Sequence, residues 1–469
     1  MNSLLNCNFK NNIAISTDLE ESLTYDDLND YIENFRKIIE PKSLIFCLSK
    51  NSMGSVVGYI SFIENNLVPL VLGQTLNLRF LKNLIKIYNP KYLWTPSNSL
   101  KNFSRYEVLL TLFDYSLLIT TSNKIYNIHP KLSLLLPTSG STGHPKIVKL
   151  SKKNILSNAY SISNYLSINH QEKAMMSLPM HYSYGLSIIN SHFMSGATIL
   201  LTEKSIVEKK FWDFLKKQKA TSFSGVPYTF ETLSKLKFFD MSLPHLKLLT
   251  QAGGKLSRDL SLKFAKFCLK KQKRFFVMYG QTEASPRMSY LPPNQSIKKN
   301  GSIGIPIPGG KFEIFDDKGK PIVEANKIGE LIYYGPNVFM GYANSSEDLE
   351  KNSINNGMLF TGDLARKDHD NFYYIEGRKR RFVKIFGQRV NLDSLELTLK
   401  DKFGQCICIG NDEKITIFSK NKEKRDDIFK FISIILKINM KVLDFKHIIN
   451  IPKTSSGKIN YKYFKKYGS

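Results

Sequence analysis

The sequence predicts an α/β fold: a large layered α/β N-terminal domain followed by a small α+β C-terminal domain. Through the first hundred residues, short apolar runs such as Ser43–Leu48 and Leu67–Leu72 alternate with helical-period stretches, the mark of a layered α/β domain. At 469 residues the chain exceeds one ordinary domain and is long enough for a large core and a second unit. Beyond a basic cluster at Ile375–Lys384 the pattern changes. There it reads as a hairpin through Phe382–Val390, a helix near Leu392–Lys402, two strands around Cys406–Phe418 and an apolar helix at Ile428–Leu436.

Taken in order, Leu23–Leu28 opens an amphipathic helix expected to run to Ile39, with Thr24 as its N-cap. Leu132–Leu136 and Lys146–Leu150 read as strands flanking a loop. Ser151 then caps a helix with apolar residues at Ile155, Ala159, Ile162 and Leu166. An aromatic turn, Leu178–Gly185, leads into an apolar helix. Ala220–Phe223 is strand-like, and Leu248–Gly254 is a strand ending in two glycines.

Composition bounds the function. An apolar fraction of 42% with abundant Phe, Tyr and Ile fits a globular, soluble protein. No uninterrupted apolar run is long enough to span a bilayer. The N-terminal stretch has neither the basic nor the apolar region of a secretory signal. Five cysteines, at 7, 47, 268, 406 and 408, are few and scattered, and Cys406-x-Cys408 lacks metal-ligand spacing, so a reducing cytoplasm is expected. Lys and Arg number 67 against 40 Asp and Glu, a formal charge of +27. Such a field concentrates anionic partners. The lysines are spread along the whole chain and no nucleic-acid-binding signature accompanies them, so nucleic acid is not expected as a partner.

The chemistry centres on Thr138-Ser-Gly-Ser-Thr-Gly-His-Pro-Lys146. Gly140 and Gly143 let the backbone turn sharply and approach a ligand. Successive N–H groups with the hydroxyls of Thr138, Ser139, Ser141 and Thr142 can form an anion-binding nest, and Lys146 adds a mobile positive charge. A Walker-type loop needs Gly-x-x-x-x-Gly-Lys-[Ser/Thr] between strand and helix. Here the spacing is Gly140-x-x-Gly143-x-x-Lys146 between two strands, which excludes it.

This loop resembles the signature of the AMP-forming adenylating enzymes, the superfamily of acyl-CoA synthetases, nonribosomal-peptide adenylation domains and luciferases. Further motifs follow in that family's order: Tyr279-Gly-Gln-Thr-Glu-Ala284, Phe360-Thr-Gly-Asp-Leu364, Gly377-Arg378 and Pro452-Lys-Thr-Ser-Ser-Gly-Lys458. In character the chain is nearest to the acyl-CoA synthetases. The resemblance implies residues 1–377 as the adenylate-forming domain and 378–469 as a mobile one, hinged at Arg380 where relatives usually carry Asp or Lys.

The resemblance also implies roles. Tyr279, with Gly280, stacks on adenine beside the backbone of Gly253 and Gly254. Thr282 contacts the α-phosphate and Glu283 holds Mg2+. Asp363 takes the ribose hydroxyls, Arg378 reaches the nucleotide and Lys458 catalyses adenylation. His181, Tyr182 and Gly225 border the acyl group, and Gly387 lets a pantetheine chain pass. The implied reactants are ATP, a small-molecule carboxylic acid, and CoA or the phosphopantetheine of an acyl carrier protein. Amino-acid-activating members carry an aspartate near Tyr182 to pair with the substrate ammonium, whereas Lys173–Lys210 contains none. A buried ammonium without a counter-charge is costly, so an acid lacking an α-amino group is expected. Three alternatives remain open: amino-acid adenylation, transfer to an amine, and a catalytically silent nucleotide-binding protein.

Overall fold

The computed structural model describes residues 3–120, 127–138, 146–385, 388–411, 413–436, 438–453 and 459–466. The described residues form two compact units. One comprises 3–138, 146–311 and 333–359; the other comprises 312–332 and 360–466.

The first unit is the layered α/β domain that the alternation predicted. One of its sheets runs Gly341–Ala343, Ile147–Ser151, Leu132–Pro137, Val68–Gly73, Leu44–Ser49, Tyr92–Pro96, Tyr115–Ile119, Glu107–Leu112. Leu44–Ser49 is buried at every position, as expected of a parallel strand covered on both faces. The helix Met53–Glu64 beside it is buried nearly all round. A Cβ at Gly58 would fall 2.3 Å from Trp94 Nε1, so only glycine admits the indole there.

The other sheet runs Ile305–Pro306, Arg287–Leu291, Arg274–Gly280, Leu248–Gln251, Ser222–Gly225, Lys173–Met175, Thr198–Leu201, Ile13–Thr17, Ser22–Thr24. Its parallel strands Ser222–Gly225, Leu248–Gln251 and Arg274–Gly280 are in register, with Gly225 opposite Gln251 and Gln251 opposite Val277. Their carboxyl ends therefore fall along one edge, where open α/β sheets bind ligands.

Capping follows the sequence closely. Thr24 and Asp27 form a reciprocal capping box for helix Tyr25–Arg36, which ends one turn before the expected Ile39. Ser151 and Asn154 do the same for Lys152–Leu166, and Ile155, Ala159, Ile162 and Leu166 face the core. Strand Ile305–Pro306 is short, and Gly301 and Gly304 before it both take positive φ.

The second unit contains strands Met358–Lys367 and Tyr373–Arg378, a hairpin of Phe382–Ile385 with Gln388–Asn391, and helices Leu392–Phe403 and Arg425–Leu436. Strands Cys406–Gly410, Ile415–Ser419 and Leu443–His447 form a three-stranded sheet, and the helices pack with it around Leu399, Cys408, Ile417 and Ile428. Cys47, Cys268, Cys406 and Cys408 are free and buried. No described helix is long and apolar enough to cross a membrane.

Candidate active site

Strand Leu132–Pro137 leads into the signature loop and Ile147–Ser151 leads out of it, paired antiparallel with Pro137 opposite Ile147. The ladder continues one step further, with Thr138 N–H donating to the Lys146 carbonyl at 2.9 Å. Both ends of the loop are thus pinned. Ser139, Gly140, Ser141, Thr142 and Gly143 lie outside the described residues, as do Gly387 and Lys458.

The short strand Gly341–Ala343 pairs with Ile147–Ser151, placing Gly341 opposite Lys149. This pairing delivers Tyr342 to the site. Lys146 Nζ lies 4.6 Å from the Tyr342 ring centroid, a cation–π contact. The Tyr342 hydroxyl donates to Glu283 Oε1 at 2.8 Å. Lys149, 2% exposed, donates to the carbonyls of Asp348 and Lys351 at 2.7 and 2.9 Å, tying down the chain that follows Tyr342.

Tyr279 and Gly280 end strand Arg274–Gly280, and Thr282–Ala284 forms a single 3-10 turn. A Cβ at Gly280 would fall 1.9 Å from the Pro286 carbonyl, so the turn closes only on glycine. Thr282 shares a hydrogen bond with Ser183 at 3.1 Å, and the Glu283 carbonyl accepts from Phe339 N–H at 2.8 Å. Glu283 Oε2 takes no hydrogen bond among the described residues.

Ser183 opens helix Ser183–Met194 directly after His181 and Tyr182. A Cβ at Gly253, whose φ is +83°, would fall 2.5 Å from the Tyr182 hydroxyl, so Tyr182 rests on the Gly253 backbone. Gln251, fully buried, holds the same turn by donating Nε2 to the Gly254 carbonyl at 2.9 Å. The His181 ring packs on Gly73, at 3.0 Å from the position a Cβ would take. Burial lowers the His181 pKa and raises that of Tyr182, so both rest neutral. Gly225 abuts Thr229 in the same way.

The structure therefore joins Thr138, Lys146, Glu283, Thr282, Tyr182 and Gly253 in one run of contacts within the first unit. Tyr342, Ser183 and Gln251 complete that run, and sequence reasoning missed all three. Tyr342 lies 59 residues from Glu283, and only the strand pairing at Gly341 brings them together.

In the second unit Asp363 and Arg378 are cross-strand partners, with Arg378 Nε 3.5 Å from Asp363 Oδ1. Asp363 is 6% exposed. Next to them Arg381 forms a half-buried cluster, bonding Asp393 at 2.7 Å and Glu396 at 2.6 Å. Its guanidinium lies 4.1 Å from the Tyr461 ring centroid, and the Tyr461 hydroxyl donates to Glu396 Oε2 at 2.6 Å.

Among the described residues no three His, Cys, Asp or Glu side chains cluster as a metal cage. A single carboxylate with an unengaged oxygen, Glu283, suits Mg2+, which binds through one or two carboxylates plus substrate phosphates.

Residues 7–343 match the family model described as AMP-binding enzyme. The chain is 27% identical over 373 residues to the oxalate–CoA ligase of Arabidopsis thaliana, covering 75% of this chain and 71% of that one. It is 26% identical over 346 residues to the 2-succinylbenzoate–CoA ligase of Oceanobacillus iheyensis, covering 74% and 69%. The fold superimposes on o-succinylbenzoate CoA synthetase from Bacillus subtilis, solved with its acyl-adenylate intermediate, with a TM-score of 0.79 at 20% identity, over 97% of this chain and 95% of that one.

Proposed function

The chain belongs to the AMP-binding enzyme family and is an AMP-forming acid–thiol ligase, and we propose that its own residues carry the two half-reactions as follows. A carboxylate oxygen attacks the α-phosphorus of ATP, the bond to the β-phosphate breaks, and acyl-adenylate and pyrophosphate result. A thiol then attacks the acyl carbon, loses its proton, and displaces AMP.

The barrier in the first step is the approach of two anions and the spread of charge at phosphorus. Fixed donors lower it most, because they need not reorganise as charge develops. The donors assigned to this step are the hydroxyls and N–H groups of residues 138–143, the ammonium groups of Lys146 and Lys458, and the Thr282 hydroxyl. Glu283 and the phosphates would hold Mg2+, which supplies charge neutralisation on the phosphate oxygens. Tyr279 and Gly280, with the Gly253–Gly254 backbone, take the adenine; Asp363 takes the ribose; Arg378 reaches the nucleotide. His181, Tyr182 and Gly225 border the acyl group.

The observation that carries this reading is the unbroken contact from Lys146 through Tyr342 to Glu283, beside the Thr282–Ser183 hydrogen bond. It links the phosphate loop, the metal carboxylate and the acyl-side helix, three segments that a nucleotide and an acid must touch together. For the thiol step, the segment from residue 378 pivots at Arg380, withdrawing Lys458 and bringing Gly387 to the pantetheine. The acceptor is CoA, and an acyl carrier protein is the second reading that the same pantetheine chemistry allows. A screen of ATP-dependent hydroxamate formation over short, long, aryl and hydroxy acids tests the function. Product with at least one acid is expected, and none with any acid would leave a silent nucleotide-binding protein.

A further inference from the structure

Arg287 is 2% exposed, and nothing in the two half-reactions uses it. It opens strand Arg287–Leu291, opposite Gly280 in the ladder. A Cβ at Gly280 would fall 3.0 Å from Arg287 Cα, so the backbone of this arginine lies against the Tyr279–Glu283 turn. Its guanidinium sits 5.0 Å from the ring centroid of Tyr184, in the 178–185 segment that borders the acyl group.

The partners of this guanidinium are all neutral. Nε donates to Ser187 Oγ at 3.2 Å, and Nη1 reaches Tyr165 Oη at 3.3 Å and Met278 Sδ at 3.4 Å. Nη2 makes no hydrogen bond among the described residues, and no described carboxylate pairs with the group. The Tyr184 hydroxyl in turn shares a hydrogen bond with Thr250 at 2.8 Å, and Thr250 with Ser224 at 2.7 Å, all neutral groups. An arginine cannot shed its proton. A buried cation ringed by neutral groups therefore keeps its charge without a counter-ion, an arrangement that costs stability unless something else supplies the anion.

We propose that the activated acid supplies it: the substrate carries a second carboxylate, and Arg287 receives that group while the first carboxylate attacks phosphorus. The inference rests on the ligase reading and adds to it a substrate class, the dicarboxylic acids. The unengaged Nη2 donors suit a carboxylate, to which an ionised donor makes short, strong hydrogen bonds. The same charge repels an α-ammonium, in agreement with the absence of aspartate from Lys173 to Lys210.

The test compares hydroxamate formation by the full chain with dicarboxylic acids and with monocarboxylic acids of matched length. The diacid of the preferred length is expected to exceed its monoacid by about 100-fold or more in kcat/KM. Arg287→Met is expected to remove that advantage, lowering the diacid by about 100-fold and leaving the monoacid rate unchanged or raised. Ser187→Ala, a milder change, keeps the fold and is expected to lower the diacid alone by about 10-fold. Hydroxamate from monoacids with no diacid preference overturns the role of Arg287 and leaves the ligase reading standing. Equal loss of both acids in Arg287→Met at an unchanged melting temperature also overturns it. No hydroxamate from any acid sinks both.

Discussion

The Tyr342 hydroxyl donates to Glu283 Oε1 at 2.8 Å while the face of its ring carries the Lys146 ammonium. One tyrosine thus orients the carboxylate proposed for Mg2+ and the lysine proposed for phosphate. Tyr342→Phe keeps the ring and removes the donor. A hydrogen bond to a charged group contributes about 1.5–3 kcal/mol, so pyrophosphate release is expected to fall about 10-fold or more. A magnesium titration should show half-saturation moved to higher concentration. An unchanged magnesium dependence would free Glu283 from its assigned role.

Gly253→Ala meets two obstacles: a φ of +83°, which a side chain rarely adopts, and a Cβ 2.5 Å from the Tyr182 hydroxyl. Strain of this kind costs about 1–3 kcal/mol. The variant is expected to raise KM for the acid and lower the melting temperature. Because one clash is with the hydroxyl oxygen, Tyr182→Phe in the same chain should restore part of both losses.

His192 is buried on helix Ser183–Met194, with Nδ1 at 2.8 Å from the Ile188 carbonyl and Nε2 without a partner among the described residues. Burial lowers its pKa from 6.5 to about 4; the Ile188 carbonyl opposes the shift and the Arg287 charge adds to it. As pH falls below 6.5 the unfolded chain takes a proton that the native state refuses. Stability therefore declines from pH 6.5 down to about 4, by about 3 kcal/mol in all, and levels off below. Denaturant midpoints measured across that window should slope in the native chain and be flatter in His192→Gln.

Much of this architecture is legible in residue order because it is local. The caps at Thr24 and Ser151 follow from hydroxyls placed before apolar periodicity, and the apolar run Ser43–Leu48 declares the buried strand found at Leu44–Ser49. The helix from Tyr25 stops at Arg36 rather than Ile39, a boundary that depends on how the final turn packs and not on period. The order of strands and the arrival of Tyr342 at Glu283 are not legible, since both depend on pairings between distant segments. The charge of Arg287 is visible in sequence, but its burial among neutral groups is not. The motif carrying Lys458 is legible only by resemblance.

Lys458→Ala separates the half-reactions. Adenylation is expected to fall by about 100-fold or more, the scale set by losing one charge-stabilising donor. Thioester formation from supplied acyl-adenylate should stay within a few-fold of the unaltered chain. Equal losses in both steps would contradict a lysine that serves only the first.

Labelling the substrate carboxylate with 18O and weighing the AMP released tests the chemistry most directly. Attack of the acid on the α-phosphorus predicts one labelled oxygen transferred to AMP in each turnover. Unlabelled AMP, or label found only in an inorganic phosphate product, would contradict an acyl-adenylate and with it the assignment of every residue around the nucleotide.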